Sequence, residues 1–373
     1  MQTGVIGAGA MGSGIAQIAA QSGCEVWITD TRQEALDKSR ASLTATLTTL
    51  SEKGKITEEE KTATLGRLHF TTSMSDLKHC ELVIEAIVED LAIKQQVFRS
   101  IEEVVSETCV LATNTSSLSV TSIASACRVP ERVLGLHFFN PAPLMPLVEI
   151  IPALQTRSGL ADELRALTAG WKKVSVVCRD LPGFIVNRVA RPYYSEALRI
   201  LDEGAADMAA IDEAMRRIGF RMGPFELMDL IGHDVNYTVT ETVFRSFYFD
   251  PRYRPSITQK RLVEAGWLGR KSGRGFYSYT KDTERAAPSM DEELLRSIAN
   301  RILTMLINEA YDALYLGVAS REDLDLAMIK GVNYPKGLIS WGIEIGLNTI
   351  RERMDALYQK YREDRYRTSP GLY

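Results

Sequence analysis

The chain has 373 residues, of which 45% are hydrophobic and 25% are charged, and its formal net charge is −4. This composition is typical of a folded protein of two or three domains, and the mild acidity argues against nucleic acid or an anionic membrane as the main partner. No apolar run is long enough to span a membrane, and the five cysteines show no metal-binding spacing, so we expect a cytoplasmic protein with free thiols.

The first predicted strand leads into a glycine-rich turn. Residues 3–6 form a short apolar run and residues 13–22 have a helical pattern. Between them stands the sequence G-x-G-x-x-G, formed by Gly7, Ala8, Gly9, Ala10, Met11 and Gly12. In this context the first glycine makes the turn, the second lets the backbone approach a pyrophosphate, and the third allows the helix to pack on the strand. The phosphates would lie on the free amides at the start of the helix, so the pattern predicts dinucleotide binding.

The second predicted strand indicates which dinucleotide is bound. Residues 25–29 have the pattern of a strand and are followed by Asp30, 18 residues after Gly12. A carboxylate at this place binds the ribose hydroxyls of NAD and repels the 2′-phosphate of NADP. We therefore predict NAD as the cofactor. Arg32, two residues further on, is the feature that would favour NADP.

Strand and helix patterns continue to alternate along the first half of the chain. A helical stretch covers residues 35–53, and further buried strands are predicted at residues 82–87, 110–114 and 133–138. Such alternation predicts an α/β domain with a doubly wound parallel sheet, whose ligands bind at the carboxyl ends of the strands. Polar residues stand at those ends, namely Glu85, Glu89, Asn114, Thr115, Ser116, Ser117, His137 and Asn140. Ser116 has the pattern of a helix N-cap, but its place on the same rim as His137 favours an active-site role.

Residues 133–151 form two extended segments on either side of a proline-rich turn. The first segment carries His137, the second carries Glu149, and three X-Pro steps between them exclude a helix. Such a turn can bring the two side chains together, and a histidine oriented by a carboxylate is a common general base near neutral pH. The competing interpretation is a core histidine and an unrelated surface glutamate.

A proline–glycine break at residues 180–184 marks a domain boundary, and the rest of the chain has a helical pattern. This half repeats itself at an offset of 113 residues, in pairs that include Asn187/Asn300, Arg188/Arg301, Glu196/Glu309, Leu201/Leu314, Gly204/Gly317 and Asp212/Asp325. We therefore predict a dinucleotide-binding domain of residues 1–180, followed by two copies of a helical domain, residues 181–283 and 284–373.

The motifs GAGAMGSGIAQ, VIEAIVED, NTSSL, GLHFFNPAPLMPLVEII, LPGFIVNR and GRKSGRGFY follow one another through residues 1 to about 280. In this order they resemble the 3-hydroxyacyl-CoA dehydrogenase family, and the doubled helical half resembles its longer bacterial members. The resemblance implies a Rossmann-type NAD-binding domain followed by a duplicated all-α domain. It also implies reversible hydride transfer between NAD and the 3-hydroxyl group of a 3-hydroxyacyl-CoA, in fatty-acid or aromatic-acid degradation.

The resemblance also implies roles for individual residues. His137 would be the catalytic base and Glu149 its orienting partner, while Ser116 and Asn187 would bind the substrate oxygen. Besides the glycine-rich turn, the NAD site would include Asp30, Glu89, Lys94, Asn140 and Lys271.

The CoA part of the substrate has weaker signals. Lys53 matches a lysine that contacts CoA in the family, whereas Pro146 stands where many members carry a lysine. Two other classes stay open at this point: a β-hydroxyacid or sugar-acid dehydrogenase without a CoA site, and a family member with a structural role only. Single-copy members pair through their helical domain. We therefore expect residues 284–373 to cover the face of residues 181–283 within one chain, and the protein to be a monomer or a homodimer.

Overall fold

The computed structural model describes residues 1–280, 287–289 and 291–373, which divide into two units, Met1–Leu181 and Pro182–Tyr373. The division falls one residue after the predicted end of the dinucleotide-binding domain. The predicted boundary between residues 283 and 284 lies outside the described residues. In the part of the chain that the structure describes, no helix combines the length and the apolar character needed to cross a membrane.

An eight-stranded sheet forms the centre of the first unit, with the strand order β3-β2-β1-β4-β5-β6-β7-β8. The strands are β1 (Gln2–Ile6), β2 (Glu25–Thr29), β3 (Leu68–Thr71), β4 (Leu82–Glu85), β5 (Val110–Thr113), β6 (Val133–Phe138), β7 (Leu147–Pro152) and β8 (Val174–Val177). The first six are parallel and have the order of a Rossmann fold, which confirms the predicted fold class. β7 is antiparallel to β6, because a short turn can join only antiparallel neighbours. β8 pairs with β7 in parallel.

The helices of the first unit pack on this sheet. They are α1 (Ala10–Gln21), α2 (Gln33–Glu52), α3 (Glu58–Gly66), α4 (Leu91–Glu102), α5 (Val120–Ala124) and α6 (Leu160–Gly170). The apolar side of α1, with Ile15 and Ala19, packs into a core shared with β1 and β2. Gly12 makes this close approach possible, since a Cβ atom there would lie 1.8 Å from the carbonyl oxygen of Gly7.

The described residues of the second unit are mainly helical. The helices are α7 (Val186–Val189), α8 (Arg191–Asp202), α9 (Met208–Arg217), α10 (Pro224–Ile231), α11 (His233–Ser246), α12 (Ile257–Glu264), α13 (Glu292–Tyr315), α14 (Arg321–Val332), α15 (Leu338–Ile345) and α16 (Leu347–Tyr361). The long helix α13 packs against α8, α9, α15 and α16, so its apolar residues form a large part of the core of this unit.

Local structures recur in the second unit at offsets of 113 or 114 residues. Asp212 accepts hydrogen bonds from two backbone amides at the start of α10, and Asp325 does the same at the start of α15. Gly232 joins α10 to α11 with a φ of 98°, and Gly346 joins α15 to α16 with a φ of 95°. Because a positive φ of this kind favours glycine, the two glycines are required by the same bend.

Candidate active site

His137 and Glu149 occupy directly opposed positions on the antiparallel strands β6 and β7. Nδ1 of His137 lies 2.7 Å from Oε2 of Glu149. Glu149 is fully buried and His137 is 6% exposed. Glu149 is therefore not an unrelated surface residue, as the competing interpretation would have it, but the buried partner of His137. The contact at Nδ1 holds the imidazole in one orientation and turns Nε2 away from the carboxylate.

The turn between β6 and β7 is held by Lys173, a residue that sequence reasoning missed. Its Nζ donates hydrogen bonds to the carbonyl oxygens of Ala142 and Met145, at 2.6 and 2.8 Å. Burial lowers the pKa of Lys173 to about 8. A lysine next to Lys172 at the start of a strand has the pattern of a surface residue, and its acceptors stand about thirty residues earlier, so no local signal identifies it. Asn140, in the same turn, is exposed.

Glu89 orders the loop that carries Ser116. Its Oε1 accepts hydrogen bonds from the hydroxyl group of Thr115 at 2.6 Å and from the backbone amides of Ser116 and Ser117 at 2.9 and 3.1 Å. Withdrawal from water raises the pKa of Glu89, but Lys94 and these hydrogen bonds outweigh that effect and hold it below its usual value. The carboxylate is therefore ionised at neutral pH and fixes the loop. The hydroxyl group of Ser116 itself lies 3.3 Å from Oε1.

Lys94 lies inside the first unit rather than on its surface. It is 1% exposed, and its Nζ lies 2.6 Å from Glu85 Oε1 and 3.3 Å from Glu89 Oε2. Glu85 is fully buried and also accepts a hydrogen bond from Thr113 at 2.8 Å. Lys94 is thus placed to neutralise Glu85 and Glu89, and a direct contact with a ligand would require this cluster to open.

The glycine-rich turn has the geometry that a dinucleotide needs. A Cβ atom on Gly9 would meet no other atom within 4 Å, so the backbone there is open to a ligand. Gly9 is the N-cap of α1 and provides no side-chain cap, which leaves the first amides of the helix for an anion. Asp30 accepts hydrogen bonds from the amides of Ala8 and Arg32, both at 3.0 Å, and so stands beside the turn. The exposed guanidinium of Arg32 lies 3.9 Å from Asp30, and its positive charge compensates part of the negative charge of Asp30.

Three further predicted residues are Lys53 in the first unit and Asn187 and Lys271 in the second. Lys53 is exposed at the C-terminus of α2. Asn187 lies in α7, within the second unit, and is partly exposed. Lys271, also in the second unit, is exposed and its Nζ lies 2.6 Å from Asp234.

Comparison with known proteins identifies the family. The family model described as the NAD-binding domain of 3-hydroxyacyl-CoA dehydrogenase matches residues 2–181. The model for the C-terminal domain of the same family matches residues 183–279 and residues 298–372. The matched ranges cover most of the chain.

Individual relatives agree. The 3-hydroxyadipyl-CoA dehydrogenase of Escherichia coli is 38% identical, across 97% of this chain and 94% of its own length. The probable 3-hydroxybutyryl-CoA dehydrogenase of Deinococcus radiodurans is 44% identical, across 75% of this chain and 100% of its own. A crystal structure described as 3-hydroxybutyryl-CoA dehydrogenase from Escherichia coli K12 superposes with a TM-score of 0.94 at 37% identity, covering 100% of this chain and 97% of that one. The chain thus belongs to the 3-hydroxyacyl-CoA dehydrogenase family and is an NAD-dependent oxidoreductase.

Proposed function

We propose that His137 is the general base of this dehydrogenase and that Glu149 orients it and stabilises its charged form. The observation that carries the proposal is the 2.7 Å contact between Nδ1 and a fully buried carboxylate. Oxidation of a secondary alcohol removes a proton from oxygen while a hydride leaves the neighbouring carbon, and bound NAD supplies the hydride acceptor. His137 takes the proton at Nε2, and the charge of Glu149 favours the resulting imidazolium. General-base assistance of this kind contributes about 100- to 10,000-fold to the rate.

Ser116 and Asn187 are proposed to bind the substrate oxygen on which charge changes during the reaction. The hydroxyl and amide groups are neutral donors, which suit an oxygen that becomes negative when the carbonyl is reduced. The hydrogen bonds that the loop donates to Glu89 support a fixed position for Ser116. The role of Asn187 rests on its motif, LPGFIVNR, alone.

The NAD site is proposed to combine the turn, the carboxylate beside it and groups on the strand rim. The amides at the start of α1, with Ala10 and Met11, would hold the pyrophosphate, and Asp30 would bind the adenosine ribose. Glu89 and Lys94 would act at the rim through the loop that they order. Asn140 would contact the nicotinamide from the turn after β6, and Lys271 would add a cation.

The substrate is proposed to be the CoA thioester of a short 3-hydroxy acid. The relatives named above are described as 3-hydroxybutyryl-CoA or 3-hydroxyadipyl-CoA dehydrogenases, and these two acyl groups differ in chain length and in a terminal carboxylate. Lys53 is proposed to contact the CoA moiety. The pathway would be the degradation of fatty acids or of aromatic acids.

The test is an assay of NADH oxidation with acetoacetyl-CoA and 3-oxoadipyl-CoA, with acetoacetate as the matched compound that lacks CoA. Turnover with either thioester, and none with acetoacetate, would support the proposed substrate class. Equal turnover with acetoacetate would contradict it, because a CoA-independent hydroxyacid dehydrogenase would then describe the protein better.

The domain assignment is part of the proposal. Residues 1–180 would bind NAD, residues 181–283 would complete the substrate site, and residues 284–373 would take the place of a partner subunit's helical domain. A chain built in this way would be a monomer, or a homodimer that uses another surface.

A further inference from the structure

A cavity of about 760 Å³ lies in the second unit beside Asn300, the counterpart of Asn187 in the repeat. This volume is within the range of small-molecule sites, roughly 300 to 1,000 Å³. Its apolar wall is formed by Ile200, Leu294, Ile298, Ala356 and Leu357. The proposed active-site chemistry uses none of these residues, so the cavity needs a separate explanation.

The cavity is bordered by cations that the first helical copy lacks. Arg296, Arg353 and Lys360 line it, and only Glu293 among its lining residues is acidic. The offset is 113 residues at Arg296 and 114 residues at Arg353 and Lys360, after the register slips by one. The corresponding positions in the first copy are neutral, namely Gly183, Val239 and Ser246. Positive charge is therefore a property of this face of the second copy and not something inherited from the repeat.

Two of these cations are available to a ligand. Among the residues that the structure describes, the side chains of Arg296 and Arg353 make neither a hydrogen bond nor an ion pair. Arg301, which also lines the cavity, is by contrast paired with Glu196 and Glu203. An anion would thus meet Arg296 and Arg353 without breaking an existing ion pair.

One residue that lines the cavity is much smaller than its counterpart in the first copy. Arg191 in the first copy is buried, donates to Thr240 at 3.0 Å and lies over the ring of Tyr194. Its counterpart is Thr304, a much smaller residue that lines the cavity. The Oγ1 atom of Thr304 is buried and has no hydrogen-bond partner among the described residues.

We propose that this cavity binds a small amphipathic anion, a molecule with an apolar chain and a carboxylate or phosphate group. The chain lies against the apolar wall, and the anionic group meets Arg296 and Arg353. The site is distinct from the proposed His137 site and would take its ligand without chemical change.

Octanoate is a suitable probe, because it has an apolar chain and one carboxylate but lacks the CoA moiety. Equilibrium dialysis of the full-length protein should find an equimolar amount of bound octanoate. The double substitution Arg296→Gln and Arg353→Gln should weaken this binding at least about tenfold, since it removes two charge-assisted contacts. The pair Arg321→Gln and Lys330→Gln on α14, which lies outside the cavity, is the matched control and should leave binding unchanged.

A second variant tests the shape of the site. Thr304→Arg places in the cavity the residue type of the first copy and should abolish octanoate binding. The double variant with Arg296→Gln and Arg353→Gln should turn over acetoacetyl-CoA at the original rate. Octanoate that fails to bind the original protein, or that binds all variants equally, would overturn the proposal. So would a dimer of the original protein that the double substitution dissociates, because the cavity would then be a protein interface.

Discussion

Arg188 and Arg301 stand 113 positions apart and make the same contact, each with a glutamate of the other helical copy. Nε of Arg188 donates to Glu309 at 2.7 Å, and Nε of Arg301 donates to Glu196 at 3.0 Å. The two glutamates are also 113 positions apart. Such an exchange of partners is what a twofold relation between two similar surfaces produces. The helical copies therefore pack on each other within one chain, much as two subunits of a symmetric dimer would.

The buried contacts of Glu309 should be important for the stability of the protein. Glu309 is 1% exposed and contacts Arg188, Arg252 and Tyr253. Glu309→Gln leaves two buried guanidinium groups with less negative charge nearby, so we expect it to lower the free energy of unfolding by about 3 kcal/mol. Chemical denaturation measures the change. Glu344→Gln, at an exposed pair with Lys336, should cost less than about 1 kcal/mol. Equal effects of the two substitutions would contradict the importance of the buried pair.

The base should be identifiable from turnover. His137→Gln removes the group that takes the proton, so kcat should fall at least about 100-fold while the affinity for NADH changes little. Glu149→Gln should also reduce kcat strongly, because the imidazolium loses its neighbouring charge. His69→Gln is the control, since the ring of His69 makes a hydrogen bond with Glu25 at the edge of the sheet and should be unimportant for turnover. A His137→Gln enzyme with more than about a tenth of the original kcat would exclude this residue as the base.

Cofactor preference should depend on Asp30. The carboxylate stands beside the glycine-rich turn, where it repels a 2′-phosphate, so the unmodified enzyme should prefer NAD to NADP. Asp30→Ala should narrow the ratio of kcat/KM for the two cofactors by at least about tenfold, the effect of roughly 1.4 kcal/mol. Equal use of NAD and NADP by the unmodified enzyme would instead assign the main influence to Arg32.

Lys173 should make stability depend on pH. Burial lowers its pKa from 10.5 to about 8 in the folded protein. Below that pH the amine is charged in both states, and the cost of burying the charge is fully present. As the pH rises from about 8 to about 10, the folded protein has released the proton and the unfolded chain has not, so the contribution of Lys173 to stability rises.

The measurement is the free energy of unfolding of the original protein and of Lys173→Met across this pH range. Lys173→Met should be the less stable, because the carbonyl groups of Ala142 and Met145 lose their donor. The difference between the two proteins should grow as the pH rises. Lys172→Met serves as the control, since Lys172 is exposed. A difference that stays constant or shrinks with rising pH would show that the buried amine does not titrate as expected.

Much of the first unit was predictable because its signals are local. The limits of β2 and β6 match the predicted strands, since buried strands in a parallel sheet are short apolar runs bounded by polar or glycine residues. The glycine spacing with Asp30 predicts the cofactor, because each of these residues answers one steric or charge requirement of a dinucleotide. The proline steps between His137 and Glu149 likewise leave few conformations other than two adjacent extended segments.

The sequence by itself determined the order of the elements, the dinucleotide turn and the presence of a repeat, because each depends on residues close together in the chain or on direct identity between two stretches. The tertiary structure alone decided which distant residues meet. Three such contacts join residues separated by about 25 to over 100 positions. They are the hydrogen bonds from Lys173 to the turn, those from the Ser116 loop to Glu89, and those of Arg188 and Arg301 to glutamates of the other copy. Contacts of that kind have no periodicity in the sequence, since they arise from how folded elements pack and not from the conformation of any one of them.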